Sequence, residues 1–404
     1  MNASTLKQPP GERRQAGTSQ ALVLILANVL PTMGIVSLVP ILPQLFAQFR
    51  DFPQAGFWVP TIITAPSVCI ALLSPVVGGI ADRVGRRTLF LAALAAYTVV
   101  GSAPLLLDSL PAILASRVLL GIAEAIIYTT VNTLMGDYFH GETRRKWLSY
   151  QNAVGSLLAT VLIVAGGILG AMSWRGPFLL YLLSLPIFLA AWVLTWEPEP
   201  QAEDLLAAAP GEPVPFPWRT MAFVCALTLI SAVVFFLQPL QTGVVMNAIG
   251  LGRPDLIGIV SAGTGFALPL GAWLFGRNKR WRFGQFLTLA YALFAAGLYT
   301  LGSASTLLTV VIGACLAQFA CGITFPLLTT WCQGKLQFEV RARGMGLWIS
   351  TFFLGQFLST STVALLSAPA GGIGGVMRWA GLFCVPAAVI ALLGDWRTTA
   401  RQTP

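Results

Sequence analysis

The stretch GGIADRVGRRTL, residues 78–89, joins two long apolar segments and places charged residues and glycines at fixed offsets. Gly78 and Gly85 permit close helix packing and a tight turn. Asp82 fits the N-terminus of a neighbouring helix, where negative charge is favoured, and the arginines can pair with a carboxylate. A basic loop that only sets membrane orientation needs neither the aspartate nor the glycines, so the spacing predicts a specific contact between helices. The arginines are Arg83, Arg86 and Arg87.

Apolar runs extend along the whole chain on both sides of this stretch. Of the 404 residues, 56% are hydrophobic and only 10% are charged, whereas soluble proteins carry roughly 25% charged residues. A run of about 20 apolar residues can cross a bilayer as a helix. The sequence therefore predicts an all-α membrane protein of twelve transmembrane helices. The predicted spans are 20–48, 57–80, 88–107, 110–136, 147–171, 176–196, 219–246, 254–276, 283–303, 305–331, 344–368 and 375–394.

The distribution of basic residues predicts the orientation of the protein. Of the 24 Lys and Arg residues, nearly all fall in tails and loops on the side of the N-terminus. The exceptions are Arg50, Arg175, Arg253 and Arg378 on the other side and Arg117 inside a span. By the positive-inside rule, both termini are predicted to be cytoplasmic, in a multi-pass protein of a bacterial inner membrane. The net charge of +9 follows from this asymmetry and indicates no nucleic-acid partner.

One polar segment divides the spans into two groups of six. Residues 197–218 are acidic and rich in proline, as is typical of a linker. The basic loops at 82–87 and 277–282 take corresponding positions in the two groups, which indicates an internal duplication. Two such bundles with a site between them are typical of transporters. The predicted domains are a cytoplasmic tail (1–19), a six-helix bundle (20–196), a cytoplasmic linker (197–218), a second bundle (219–394) and a cytoplasmic tail (395–404).

The 78–89 stretch resembles the signature loop of the major facilitator superfamily. RVLLGIAEA (117–125) resembles the fourth-helix motif of that family, and VPILPQL (39–45) is similar to its drug and tetracycline exporters. In the fifth span, Leu162 and Ile163 stand where antiporters of the family often carry Gly and Pro. The resemblance covers the whole chain, and it implies the major facilitator fold of two pseudo-symmetric six-helix bundles, as in the drug:proton antiporter families.

The resemblance also implies a gate on the cytoplasmic side. Asp82 would meet the start of the eleventh span, where Gly344 and Gly346 leave room. Arg83 or Arg87 would pair with Asp137 at the end of the fourth span. These contacts would hold the cytoplasmic side shut while the outside is open. The candidate gating residues are Gly78, Asp82, Arg83, Gly85, Arg86, Arg87 and Asp137.

Two charged residues lie inside the fourth predicted span. Away from the span ends, where Arg219, Asp255 and Arg378 lie, Glu124 is the only acidic residue within any span and Arg117 is the only basic one. A charge at the bilayer centre costs at least ~2.5–3.5 kcal/mol, so such residues usually face a cavity or a partner. Glu124 is therefore predicted to carry a proton. Two alternatives stay open: Arg117 as a snorkelling or packing arginine, and Glu124 as a structural partner of Arg117 or of another polar group.

Neutral polar side chains within other spans complete a candidate site for protons and substrate. A cavity with one carboxylate, several amides and aromatic side chains suits an amphipathic organic molecule. The sequence therefore favours a secondary active transporter that exports such a compound against protons by alternating access. The alternative is an uptake symporter or facilitator for a small organic anion or metabolite. The candidate site residues are Glu124, Arg117, Tyr128, Asn28, Gln238, Gln318 and Gln356.

Other functional classes lack the residues that they need. An intramembrane enzyme would require a nucleophile with a base, or metal ligands, within the spans, and the interiors of the predicted spans contain neither a histidine nor a second acid. A nucleotide-driven pump would require a phosphate-binding Gly-x-x-x-x-Gly-Lys-[Ser/Thr] loop. No catalytic residue, metal site or cofactor is therefore predicted. The expected partners are a small-molecule substrate, protons and the lipid bilayer, and the protein is expected to be a monomer.

Overall fold

The structure is a computed structural model that describes residues 16–198, 215–278, 280–336 and 338–400. Residues 1–15, 199–214 and 401–404 lie outside these ranges, and with them most of the predicted N-terminal tail and linker. Within the described ranges the regular structure is helical throughout, which confirms the all-α fold class. Helices satisfy their own backbone hydrogen bonds, as a membrane interior demands.

The first half of the chain forms seven α-helices in its described residues. A 3₁₀ turn, Val39–Ile41, joins the first two, and a longer 3₁₀ segment, Gly176–Leu183, precedes the last. The sixth predicted span is therefore only partly α-helical. The helices are α1 (Thr18–Val36), α2 (Leu42–Gln48), α3 (Ala55–Val84), α4 (Arg86–Ser102), α5 (Leu110–Tyr138), α6 (Gly141–Met172) and α7 (Ser184–Leu194).

The second half also forms seven α-helices in the part that the structure describes. The predicted span 254–276 is interrupted at Phe266, and residues 395–400, predicted as tail, continue the last helix. The helices are α8 (Trp218–Ala248), α9 (Pro254–Gly265), α10 (Ala267–Arg277), α11 (Phe283–Gly302), α12 (Leu307–Gly334), α13 (Phe338–Leu366) and α14 (Ile373–Ala400).

Eleven helical stretches of the described chain are long and apolar enough to cross a membrane. The remaining predicted span, 147–171, lies in α6, whose described apolar part is the shorter Leu157–Met172. We call the end that holds Gly85, Tyr138 and Glu197 the linker end and the other end, which holds residues 37–54, the far end.

Each half has its own hydrophobic core. One cluster of buried side chains extends from Ala21 to Ala191 and includes a single residue of the second half, Leu240. A second cluster extends from Val234 to Ala388. The halves meet mainly where α3 packs against α13 and α6 packs against α9. This arrangement leaves a seam between the two bundles.

Candidate functional site

Arg117 lies on α5 inside the first bundle, with none of its surface exposed. Its guanidinium donates to the backbone oxygens of Val100 (3.1 Å) and Gly101 (2.9 Å), in the last turn of α4. It also lies over the rings of Phe178 (5.2 Å) and Tyr181 (5.0 Å). Side chains on a helix lean towards its N-terminus, so Arg117 reaches the far-end turn of α4. The charge is therefore held by carbonyl oxygens and aromatic faces rather than by the bilayer surface.

Glu124 is equally buried, two turns further along α5. Its carboxylate lies directly against Gly34 of α1, where any side chain would overlap it. Neither carboxylate oxygen has a hydrogen-bond partner among the described residues. The titratable groups close enough to interact electrostatically with the Glu124 carboxylate are Arg117, Cys69 of α3, Tyr97 of α4 and Tyr181. The hydroxyl of Tyr97 donates to the backbone oxygen of Leu30 (2.7 Å), and that of Tyr181 donates to the backbone oxygen of Gly34 (3.1 Å), both in α1.

The two charged side chains do not form an ion pair in the described structure. The donor groups of Arg117 are directed to the end of α4, whereas Glu124 faces α1. A membrane interior normally demands a partner for a buried carboxylate. The unpartnered Glu124 is therefore the least satisfied charged group in the first bundle, and Gly34 provides the space that it occupies.

Tyr128 faces the other half rather than the interior of the first bundle. Its half-buried ring meets Phe353 of α13 edge-on, with ring centroids 6.3 Å apart. Phe353 adjoins an aromatic cluster in which Phe352 packs against Phe236 (5.1 Å) and Phe325 (5.2 Å). An aromatic wall therefore lies along the second half, facing Tyr128 across the seam.

The predicted amides are dispersed over several helices. Gln356 is buried at the seam and accepts a hydrogen bond from Ser67 of α3 (2.8 Å). Gln238 is buried in α8 and donates to Thr242 one turn later (3.0 Å). Asn28 of α1 and Gln318 of α12 are half-buried. The structure thus brings Glu124 and Arg117 into one bundle interior and places Tyr128 and Gln356 at the seam.

The seam is closed towards the far end. Besides the Ser67–Gln356 bond, the hydroxyl oxygens of Thr64 and Thr360 are 3.3 Å apart. The α6 and α9 backbones also touch, because a Cβ on Gly167 would lie 3.1 Å from the Cα of Gly258. Polar and glycine contacts of this kind allow close helix approach within a membrane.

Fewer contacts surround three glycines towards the linker end. A Cβ placed on Gly78 or Gly79 of α3, or on Gly346 of α13, would meet nothing within 4 Å in the described chain.

The signature stretch forms the turn between α3 and α4. Gly85 has a φ of +100°, a backbone conformation that favours glycine. Arg86 then pairs with Asp137 at the end of α5 (2.5 Å). Arg87 donates to the backbone oxygen of Trp192 in α7 (2.7 Å). The turn therefore connects α4 to α5 and α7 within the first half.

Glu197 completes this connection and was missed by the sequence analysis. Its carboxylate accepts from the backbone N–H groups of Arg86 (2.5 Å) and Arg87 (2.9 Å), at the N-terminus of α4. A carboxylate is favoured there by the helix dipole and by the unpaired N–H groups. The available signal was an acidic residue directly after the last apolar run of the first half.

Two expectations about the gate require correction. The described partner of Asp137 is Arg86 rather than Arg83, which is exposed, or Arg87. The space expected beside Gly344 is filled by the side chain of Leu336. The side chain of Asp82 lies outside the described residues, so its predicted contact with α13 stays a prediction.

The protein thus consists of two helical bundles. In the first, a glycine turn and polar contacts join α4 to α5 and α7. A family model for the Major Facilitator Superfamily matches residues 24–360 of the chain. The chain belongs to the major facilitator superfamily. It is therefore a membrane transporter by family, and the predicted fold class is confirmed.

Several curated relatives of this transporter are resistance proteins. The class C tetracycline resistance protein of Escherichia coli is 27% identical over 231 residues, 55% of this chain and 56% of that protein. The class G protein of Vibrio anguillarum is 27% identical over 168 residues, 40% of this chain and 41% of the relative. The chain thus aligns with about half the length of these relatives or less. Multidrug resistance protein D of Escherichia coli (strain K12) is 24% identical over 349 residues, 82% and 85% of the two chains.

Solved transporter structures share the fold at low identity. A nucleoside transporter superposes with a TM-score of 0.71 at 10% identity, covering 93% of this chain and 98% of the other. A D-xylose–proton symporter gives 0.70 at 14% identity, covering 92% and 96%. The described residues contain no group of three His, Cys, Asp or Glu residues that could hold a metal ion.

Proposed function

We propose that this transporter exports an amphipathic organic compound in exchange for protons, and that Glu124 is the proton carrier. The observation that carries the proposal is the fully buried Glu124 carboxylate, whose two oxygens have no hydrogen-bond partner among the described residues. It is also the only acidic residue in the interior of a predicted span, since Asp255 lies at a span end.

The environment of Glu124 favours the neutral acid in this conformation. An ionised carboxylate without donors is far less stable in an apolar interior than a protonated one. Arg117 offsets this only in part, because its hydrogen bonds go to Val100 and Gly101. A movement that brings water to Glu124 would favour the ionised form. Proton binding and release are thereby coupled to a change in the packing of α1 against α5.

The contact between the halves towards the far end and the open positions beside Gly78, Gly79 and Gly346 support alternating access. The positive-inside distribution of Lys and Arg predicts a cytoplasmic linker end. In that orientation a space between the halves at the linker end would open to the cytoplasm, as an exporter requires when it loads its substrate. The same orientation places both termini in the cytoplasm, in a bacterial inner membrane, and nothing in the mechanism requires more than a monomer.

The side chains along the seam favour an amphipathic substrate. Phe236, Phe325 and Phe353 offer aromatic surface, and Tyr128 and Gln356 offer neutral hydrogen-bonding groups. Apolar walls with a few polar groups are typical of sites for small organic molecules. The names of the tetracycline and multidrug resistance relatives support export as the direction.

The alternative, uptake of an organic anion, has less support. It requires Arg117 to bind the anion. The guanidinium is fully buried and is engaged by two carbonyl oxygens and two aromatic rings. Binding an anion there would require the first bundle to open.

The test uses inside-out vesicles with a pH-sensitive dye, an imposed pH gradient and a panel of amphipathic compounds that includes lipophilic cations. The parent protein should release protons when a substrate is added and should accumulate that substrate. Glu124→Gln should lose accumulation driven by the pH gradient and still permit downhill exchange, because the amide keeps the shape but carries no proton.

The matched control is Glu142→Gln, which changes an exposed glutamate in the first turn of α6. This variant should transport like the parent. A Glu124→Gln protein that still builds a concentration gradient from the pH gradient would rule out Glu124 as the carrier.

A further inference from the structure

A cavity lies away from the seam, within the linker end of the second bundle. It has a volume of about 400 Å³ and is enclosed by the end of α10, the start of α11 and the end of α12. Most of its wall is aromatic or aliphatic. The lining residues used below are Phe275, Trp281, Phe283, Phe286, Leu327 and Trp331.

The walls of the cavity are built by aromatic contacts between the three helices. Phe283 stacks on Trp331 with ring centroids 4.7 Å apart, and Phe286 packs against both Phe275 (5.0 Å) and Trp281 (5.1 Å). The rings pack against one another in these contacts, and the space between them is an apolar hollow. Water fills such a hollow poorly because it offers few polar partners.

An exposed apolar stripe leads along α10 to the cavity. Phe266, Leu270 and Trp273 recur at helical spacing and are each more than half exposed, at 61%, 57% and 61%. The stripe ends at Arg277, whose guanidinium lies 5.6 Å from the centre of the Trp273 ring. Tryptophan and arginine at the end of an apolar helix face are typical of a membrane–water interface.

Two arginines next to the cavity lining form no ion pair within the described residues. Arg277 and Arg280 are exposed and adjoin the lining residues Gly276 and Trp281 in the chain. No acidic residue occurs between Asp255 and Glu339 in the sequence, so α10, α11 and α12 contribute no carboxylate to neutralise them. An apolar hollow beneath unneutralised arginines is complementary to a molecule with an apolar chain and an anionic head.

We propose that this cavity binds an anionic phospholipid, with an acyl chain between the aromatic walls and the phosphate at Arg277 and Arg280. Basic pockets between transmembrane helices bind such head groups, and each Lys or Arg near an anionic surface contributes about 1 kcal/mol. The cavity lies between α10, α11 and α12 of one half, so the lipid does not compete with a substrate at the seam.

The experiment measures lipid retention by native mass spectrometry of the full-length protein from membranes and after mixing with phosphatidylglycerol or phosphatidylcholine. The parent should retain one phosphatidylglycerol more strongly than phosphatidylcholine. Arg277→Gln and Arg280→Gln should each lower that retention by about fivefold. Gly276→Leu should abolish it, because a Cβ at Gly276 meets nothing within 4 Å and the added side chain fills the cavity.

Two matched controls keep the test specific. Arg219→Gln removes an exposed arginine at the linker end of α8, and Gly334→Leu adds a side chain in open space at the end of α12. Both should retain the lipid, and thermal unfolding should show that all variants are folded. Equal retention of phosphatidylcholine would overturn the proposal, as would a folded Gly276→Leu protein that retains phosphatidylglycerol like the parent.

Discussion

At the scale of single residues, α5 holds two buried charges in contrasting ways. The Arg117 guanidinium is matched by carbonyl oxygens of α4 and by the faces of Phe178 and Tyr181. The Glu124 carboxylate has no described hydrogen-bond partner and lies against the bare backbone of Gly34. A buried charge with hydrogen-bond partners stabilises one packing of the bundle, whereas a buried charge without such partners favours a change of protonation or of packing.

Arg117→Lys should therefore destabilise the first bundle. A lysine cannot reproduce the planar guanidinium fork, whose Nη2 bonds both carbonyls while its plane lies over the two rings, and losing charge-assisted bonds costs about 1.5–3 kcal/mol. The melting temperature of the purified protein should fall by several degrees. Arg253→Lys, at an exposed arginine paired with Asp255, is the control and should melt like the parent. An Arg117→Lys protein with parent-like melting would show that the fork is not required.

At the scale of helices, the ends of α4, α5 and α7 are joined to one another at the linker end of the first half. Glu197, the first acidic residue after α7, caps α4, and Tyr138 at the end of α5 stacks on Trp196 (4.8 Å) and bonds to its backbone. Such contacts let α4, α5 and α7 move as one body during a conformational change.

Glu197→Ala should loosen the start of α4. Removing a capping side chain costs about 0.5–2 kcal/mol, and the N–H groups of Arg86 and Arg87 would lose their acceptors. Hydrogen exchange of a peptide covering residues 85–90 should accelerate. Glu197→Gln keeps one acceptor oxygen and should show a smaller effect. Unchanged exchange in the alanine variant, with Glu142→Ala as the exposed control, would contradict this role.

The α3–α13 contact should behave as a far-end gate. With the Thr64 and Thr360 hydroxyls 3.3 Å apart, the pair Thr64→Cys and Thr360→Cys needs little movement to form a disulfide. Oxidation should cross-link the halves and stop transport, and reduction should restore it. Each single-cysteine variant controls for the native cysteines. The pair Gly79→Cys and Gly346→Cys, at open positions towards the linker end, should not cross-link in this conformation. Parent-like transport by the cross-linked protein would exclude a gate here.

At the scale of the whole molecule, each half has its own core, and the halves meet mainly through α3 with α13 and α6 with α9. We expect the halves to rock against one another while keeping most of their internal packing. The basic residues concentrate at the linker end, so this end is predicted to be cytoplasmic.

Reporter fusions should establish that orientation. The positive-inside rule predicts a cytoplasmic linker end. A green fluorescent protein fused after Pro404 should fluoresce in bacteria, and alkaline phosphatase inserted in the 249–253 loop at the far end should be active. Exchanging the two reporters between these sites is the control and should silence both. The reverse pattern would place the open space on the outer side.

The positions of most apolar helices followed from the sequence, but their interruptions did not; eleven of the twelve predicted spans are long and apolar enough to cross a membrane in the described chain. Spans are set by local apolar runs long enough to cross a bilayer, so the predictions match most helices within a few residues. The break at Phe266 between α9 and α10 and the 3₁₀ segment Gly176–Leu183 were not predicted. Both lie in continuous apolar runs, where composition cannot distinguish one helical geometry from another.

The sequence by itself determined the membrane class, the two-fold division, the signature turn and the rarity of Glu124 and Arg117, because these depend on composition and short spacings. Only the tertiary structure decided that Asp137 pairs with Arg86, that Glu197 caps α4, and that Glu124 faces Gly34 without a partner. Those pairings join residues far apart in the chain. They depend on the rotation and depth of whole helices, which are set by packing across the bundle rather than by any local pattern.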